Sequence, residues 1–95
     1  MLEKTLERKL TETIKAVGGI SPKLICPGFD GMPDRIALLP GGRLAFIEVK
    51  RPGMKPRPLQ ISRHGMLRKL GFKVYVLDDE NQITKILTEM GGDAK

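Results

Sequence analysis

Residues 35–49 constrain the fold most: the apolar runs "RIALL" and "RLAFIEV" are separated only by "PGG". Short β-compatible runs joined by a glycine turn read as an antiparallel hairpin. Its turn centres near Gly41, so residues whose numbers average about 41 face one another, and Asp34 then opposes Glu48. Opposed residues in an antiparallel pair have Cβ atoms about 4.5–5.5 Å apart. Two carboxylates in that relation repel, and burial raises the cost. A one-residue bulge would alter the pairing. Side chains alternate along a strand, so Glu48 and Lys50 point with Leu44 and Phe46 toward a half-buried side.

Two acids and a base converging at one hairpin end are stabilised by a divalent cation. Mg²⁺ takes oxygen ligands, typically one or two carboxylates with waters and substrate phosphate oxygens. Lys50 would sit beside it, next to a phosphate or the attacking water. That is the apparatus of metal-assisted phosphodiester hydrolysis. The bland alternative is an Asp at a strand entry and a solvated Glu48–Lys50 pair on an edge, which is worth little.

The remaining elements follow from periodicity and punctuation. Residues 2–17 carry Leu2, Leu6, Leu10, Ile14 and Val17 at helical spacing, ended by Gly18-Gly19. "KLIC" reads as a short strand, "PGFDGMP" as a loop and "KRPGMKPRP" as a basic, proline-punctuated loop. Pro58 opens a second helix, with Leu59, Met66, Leu67 and Leu70 on one side and Gly71 as its stop. "KVYVL" is a strand, "DDEN" a turn, and residues 82–90 form a short last helix or an extension. The expected order is α-β-β-β-α-β: an α/β layer structure in a single domain over residues 1–90, with residues 91–95 as a frayed tail.

At 95 residues a domain of this size is marginal alone, so a second copy is a natural partner. The formal charge of +6 and pI near 9.8 favour a polyanion such as nucleic acid. Cys26 is the only cysteine, which excludes an intrachain disulfide framework and fits a reducing cytoplasm. The charged N-terminal stretch does not resemble a signal peptide. No apolar run approaches the roughly 20 residues that span a bilayer. The expectation is a cytoplasmic protein of a bacterial or phage-infected cell, with no membrane partner.

On the first helix, Glu3 lies about 40° from the centre of the apolar face and Glu7 about 80°. Glu3 therefore points inward, where an unpaired carboxylate is costly; it could hold a metal through water, with Glu7 in reserve. An acid in a first helical turn also simply suits the helix dipole. Gln60 could orient water or contact phosphate, or be an ordinary exposed residue. His64 lacks partners for general-base or zinc chemistry and reads as a surface histidine, and Cys26 as a small buried apolar residue.

The combination of Pro33-Asp34 with Glu48-Val49-Lys50, set in "MPDRIALLPGGRLAFIEVKRPG" and followed by "PRPLQ" and "GFKVYVLD", resembles the PD-(D/E)XK nuclease superfamily. More narrowly it resembles the stand-alone form of the VRR-NUC family (virus-type replication-repair nucleases) over roughly residues 3–78. The resemblance implies a restriction-endonuclease-like core, a mixed sheet flanked by helices. It implies Asp34, Glu48 and the Val49 backbone carbonyl as ligands of Mg²⁺ or Mn²⁺. It implies Lys50 at the nucleophilic water, Gln60 as the supporting helix glutamine, and Glu3 as the early helical acid. It further implies a homodimeric endonuclease acting on branched DNA such as four-way junctions.

Lys23, Arg35, Arg51, Lys55, Arg57 and Arg63 flank this site in sequence. Phosphate contacts of that kind position DNA without reading it, and the lack of aromatics among them argues against base stacking. Two other readings compete: a non-catalytic basic nucleic-acid-binding module, and a flap or sequence-specific nuclease. The acid cluster speaks against the first, because it repels phosphate.

Overall fold

The computed structural model describes residues 1–91 of the chain. Its elements are α1 (Glu3–Ala16), β1 (Arg35–Leu39), β2 (Arg43–Val49), α2 (Pro58–Lys69), β3 (Lys73–Leu77) and α3 (Gln82–Glu89). The strands form one three-stranded mixed sheet in the order β1-β2-β3. The sequence "RLAFIEV", the longest apolar run, takes the central position.

β1 and β2 pair antiparallel from Arg35↔Ile47 to Leu39↔Arg43, the register expected from the "PGG" turn. Gly41 and Gly42 adopt φ of +88° and +75°, which non-glycine residues seldom reach. β3 runs parallel to β2, from Ala45↔Lys73 to Val49↔Leu77. Parallel strands need a long crossover, and α2 supplies it.

The two sheet faces differ. Ala37, Ala45, Ile47 and Val49 are fully buried and pack with Leu6, Leu10 and Ile14 of α1 and Ile83, Ile86 and Leu87 of α3. This is the main core, and it is aliphatic. The opposite face carries Leu44, Phe46 and Glu48 under α2, with Leu67 and Val74 buried there and Phe46 meeting Phe72 edge-on at 5.6 Å.

Two expectations change and one open alternative is decided. The "KLIC" strand is reduced to one isolated bridge, Lys23↔Arg35, with another just upstream at Ile20↔Leu38, because Pro22 and the loop that follows interrupt continuous pairing. The last segment is a true helix, started by the Gln82 side chain, whose oxygen accepts the Asp78 N–H at 2.9 Å. Among the apolar positions assigned to helix cores, Leu2, Leu59 and Leu70 are exposed. The buried face of α2 is Gln60, His64 and Leu67. Residues 92–95 of the expected tail lie outside the described residues.

Candidate active site

Continuing the β1–β2 register one pair beyond Arg35↔Ile47 sets Asp34 opposite Glu48. The Val49 N–H donates to Asp34 Oδ1 at 3.3 Å, which ties the Asp34 side chain to the end of β2. Its carboxyl pKa is pushed up to about 7, first by burial and then by the Glu48 charge. This is the acid–acid opposition that the hairpin pattern implied.

The N-terminal turns of α1 lie at the same end of the sheet. Carboxylate oxygens of Glu3, Glu7 and Asp34 all fall within 4.8 Å of one another. Helical spacing explains the joint arrival: residues four apart share a face. Glu7, the reserve choice, therefore stands beside Glu3 rather than replacing it. Both add repulsion that raises the Asp34 pKa further.

Glu48 is only 3% exposed. Its Oε2 accepts the Gln60 side-chain N–H at 2.8 Å and lies 3.4 Å from Lys50 Nζ. Its Oε1 is buried without a hydrogen-bond partner among the described residues. Burial pushes the Glu48 pKa up, while Lys50, the Gln60 bond and the Asp34 backbone N–H pull it back. A buried carboxylate oxygen left unpaired costs free energy. The donor set is hard oxygen, so the residues fit a small divalent cation.

Gln60 has both ends of its amide committed. Its oxygen accepts the Arg57 N–H at the start of α2, at 2.9 Å, and its nitrogen donates to Glu48. That network fixes the amide orientation. Pro58 at the first helical position sets φ for the turn. The proline-rich loop thus delivers Gln60 to Glu48.

The six basic residues divide into two groups. Lys23, Arg51, Lys55 and Arg57 are exposed. Arg35 is half-buried and donates to the Ser21 carbonyl at 3.3 Å. Arg63 donates to the Asp30 carbonyl at 2.8 Å and covers the Phe29 ring at 4.0 Å. Both arginines are engaged in holding the chain.

His64 corrects the surface reading. It is 2% exposed, one turn after Gln60, and its Nε2 has no partner among the described residues. Burial lowers its pKa, and the positive charges of Arg68 and Lys50 lower it further. Cys26 is half-buried rather than buried. The lack of a chemical partner does not put His64 on the surface, because the inner face of α2 carries Gln60 and His64 beside Leu67.

No family model matches the chain. A protein of Acyrthosiphon pisum secondary endosymbiont phage 1, described as "Putative nuclease p44", is 42% identical over 79 residues, or 83% of this chain and 85% of that protein. A solved structure described as a VRR_NUC domain superposes with a TM-score of 0.84 at 36% identity, covering 92% of this chain and 94% of that one. The hairpin acids, the lysine two residues on, the helix glutamine and these relatives agree: the chain belongs to the VRR-NUC family of nucleases.

Proposed function

We propose that this chain is a divalent-metal-dependent DNA endonuclease that cuts branched DNA, such as a four-way junction, as a homodimer. The observation that carries the metal reading is the unpaired Oε1 of Glu48, a 3% exposed carboxylate facing Asp34 across the hairpin. Asp34, Glu48 and the Val49 carbonyl would hold Mg²⁺ or Mn²⁺, with Glu3 and Glu7 contributing through water. When bound, such a cation lowers the pKa of its water and neutralises charge building on the phosphate.

The protein's own groups do the rest. Lys50 sets its Nζ 3.4 Å from Glu48, where it orients the attacking water and stabilises developing negative charge. Gln60 is a positioning residue: it holds Glu48 in one rotamer through a bond anchored at the start of α2. Lys23, Arg51, Lys55 and Arg57 supply phosphate contacts, which set affinity and its salt dependence.

The dimer reading is supported by the outer face of α2. Ile61 and Leu70 are 58% and 66% exposed, and with Gly65 and Met66 they line a shallow groove. Burying such a patch against a second copy is a favourable use of apolar surface. Two active sites at a fixed separation would then act on paired strands of a junction.

The test is cleavage of a labelled panel comprising four-way junction, flap, splayed arm, duplex and single strand, each with Mn²⁺, Mg²⁺ or chelator. Hydrolysis of branched substrates with metal, absent with chelator and absent in Asp34→Asn and Lys50→Ala, supports the proposal. Tight DNA binding with no hydrolysis under any metal would favour the non-catalytic module instead.

A further inference from the structure

The loop preceding Asp34 is built more firmly than its Pro-Gly composition suggests. Its two ends meet where the Leu24 N–H donates to the Asp34 carbonyl at 2.9 Å. At its tip, the Phe29 N–H donates to the Cys26 carbonyl at 3.1 Å. Gly31 lies so close to α2 that a Cβ there would stand 2.7 Å from Leu59 Cγ and 3.0 Å from Arg63 Cγ. The Arg63 Nε–H donates to the Asp30 carbonyl at 2.8 Å. These contacts fix the tip against the first turns of α2.

Phe29 rides on that tip. The Arg63 guanidinium lies 4.0 Å from its ring centroid, so one face of the ring is backed by a cation. The residue nevertheless remains 41% exposed. Arg63 follows Gln60 by three residues, about 4.5 Å along the helix axis, and Gln60 holds Glu48. An exposed, cation-backed aromatic ring therefore sits on the loop that ends in Asp34, and the arginine behind it lies on α2 three residues after the glutamine that holds Glu48. Phe72, also exposed, has its ring packed on Phe46 instead.

We propose that Phe29, backed by Arg63, is a stacking platform for an unpaired nucleobase next to the phosphate that is cut. The proposal rests on the DNA-nuclease reading above and deepens it: the favoured substrate offers an unstacked base at its branch. Fully paired duplex has none to offer without the cost of unpairing one. An aromatic side chain accepts any base, because every base has a π-face. Fixing the ring in advance through Arg63 and Gly31 reduces the ordering cost of binding. Arg63 then acts on DNA through Phe29 rather than through a phosphate.

The chain has no tryptophan, so Phe29→Trp places a single fluorescent reporter on the platform. Binding is measured with chelator present, so no cleavage is required. The probes are a fully paired duplex and the same duplex carrying one unpaired 2-aminopurine beside a splayed arm. The expected results are tighter binding of the second probe, quenching of the introduced indole's emission and of the 2-aminopurine by that probe alone, and loss of the preference in Phe29→Ala. The loss should be on the order of 5- to 150-fold in Kd, as for single base–aromatic stacks. Phe29→Leu keeps apolar bulk without a π-face, and should lose the preference as Phe29→Ala does. Rescue by Leu, or equal binding of both probes by wild type and Phe29→Ala, overturns the platform while leaving DNA binding intact. Failure of wild type to bind either probe overturns the DNA reading and the platform with it.

Discussion

Replacing Asp34 by Asn should make the metal-free protein more stable above neutral pH. Burial and the facing Glu48 raise the Asp34 pKa from 3.8 to about 7. The unfolded chain gives up that proton near the ordinary value. Between about pH 4 and 7 the folded state therefore holds more protons than the unfolded state, and stability falls as pH rises through that window. At about 1.4 kcal/mol per tenfold difference in proton affinity, the full loss is about 4 kcal/mol by pH 8. Partial contact of the side chain with solvent reduces this, and about 2–3 kcal/mol is expected. That is a large share of the roughly 5–15 kcal/mol that holds a domain together. Asn keeps the shape and can still accept the Val49 N–H, but it carries no charge. Urea unfolding of chelator-treated protein, followed by circular dichroism at pH 5 and pH 8, measures the effect. The difference between the two proteins reports Asp34 together with its coupling to Glu48, Glu3 and Glu7. Mn²⁺ at about 100 times its Kd should return about 2.7 kcal/mol to wild type at pH 8 and much less to Asp34→Asn. Equal stability of the two proteins at pH 8, with the same pH dependence, would refute the claim that Asp34 is a destabilised carboxylate.

His64→Leu should stabilise the protein by about 1 kcal/mol at pH 7, since the buried Nε2 has no partner to lose. Because its folded pKa is lowered, wild type should also lose stability as pH falls through about 6.5, and thermal melts at pH 5 should show this variant spared. Gln60→Ala should cut turnover by about tenfold or more with little change in DNA affinity, since it frees a buried carboxylate from its anchor; single-turnover kinetics separate the two. Leu10→Ala, at a fully buried site in the core, should cost about 2–5 kcal/mol in urea unfolding. Ile61→Asp, at an exposed position, should shift the protein to a monomer by light scattering and make its melting temperature lower and independent of protein concentration.

The hairpin was readable because its signal is local. The register follows from two strands and a glycine turn, and one step further it opposes Asp34 and Glu48. Glu3 and Glu7 were readable for the same reason, through helical spacing, although only packing of α1 shows that both reach Asp34. α2 was not readable by apolar periodicity. Glu48, buried on the sheet, takes its donor from Gln60, and the face that turns Gln60 inward carries His64 with it and leaves Leu59, Ile61 and Leu70 outside. There the partner's chemistry overrode the hydrophobic count. The Phe29–Arg63 stack joins residues far apart in the chain, and nothing local in either segment announces it. "KLIC" has strand composition, yet it bridges β1 only through Lys23, beside the Leu24 bond to Asp34, a limit set by the chain's path and not by the residues.

In the proposed site, Asp34 and Glu48 share one divalent cation. Crystals soaked in Mn²⁺ and measured at the manganese absorption edge test it directly. An anomalous peak is expected within about 2.0–2.3 Å of an Asp34 oxygen and of Glu48 Oε1, absent in Asp34→Asn. A map with no peak between these two side chains at saturating Mn²⁺, or a peak held by Glu3 and Glu7 alone, would contradict it.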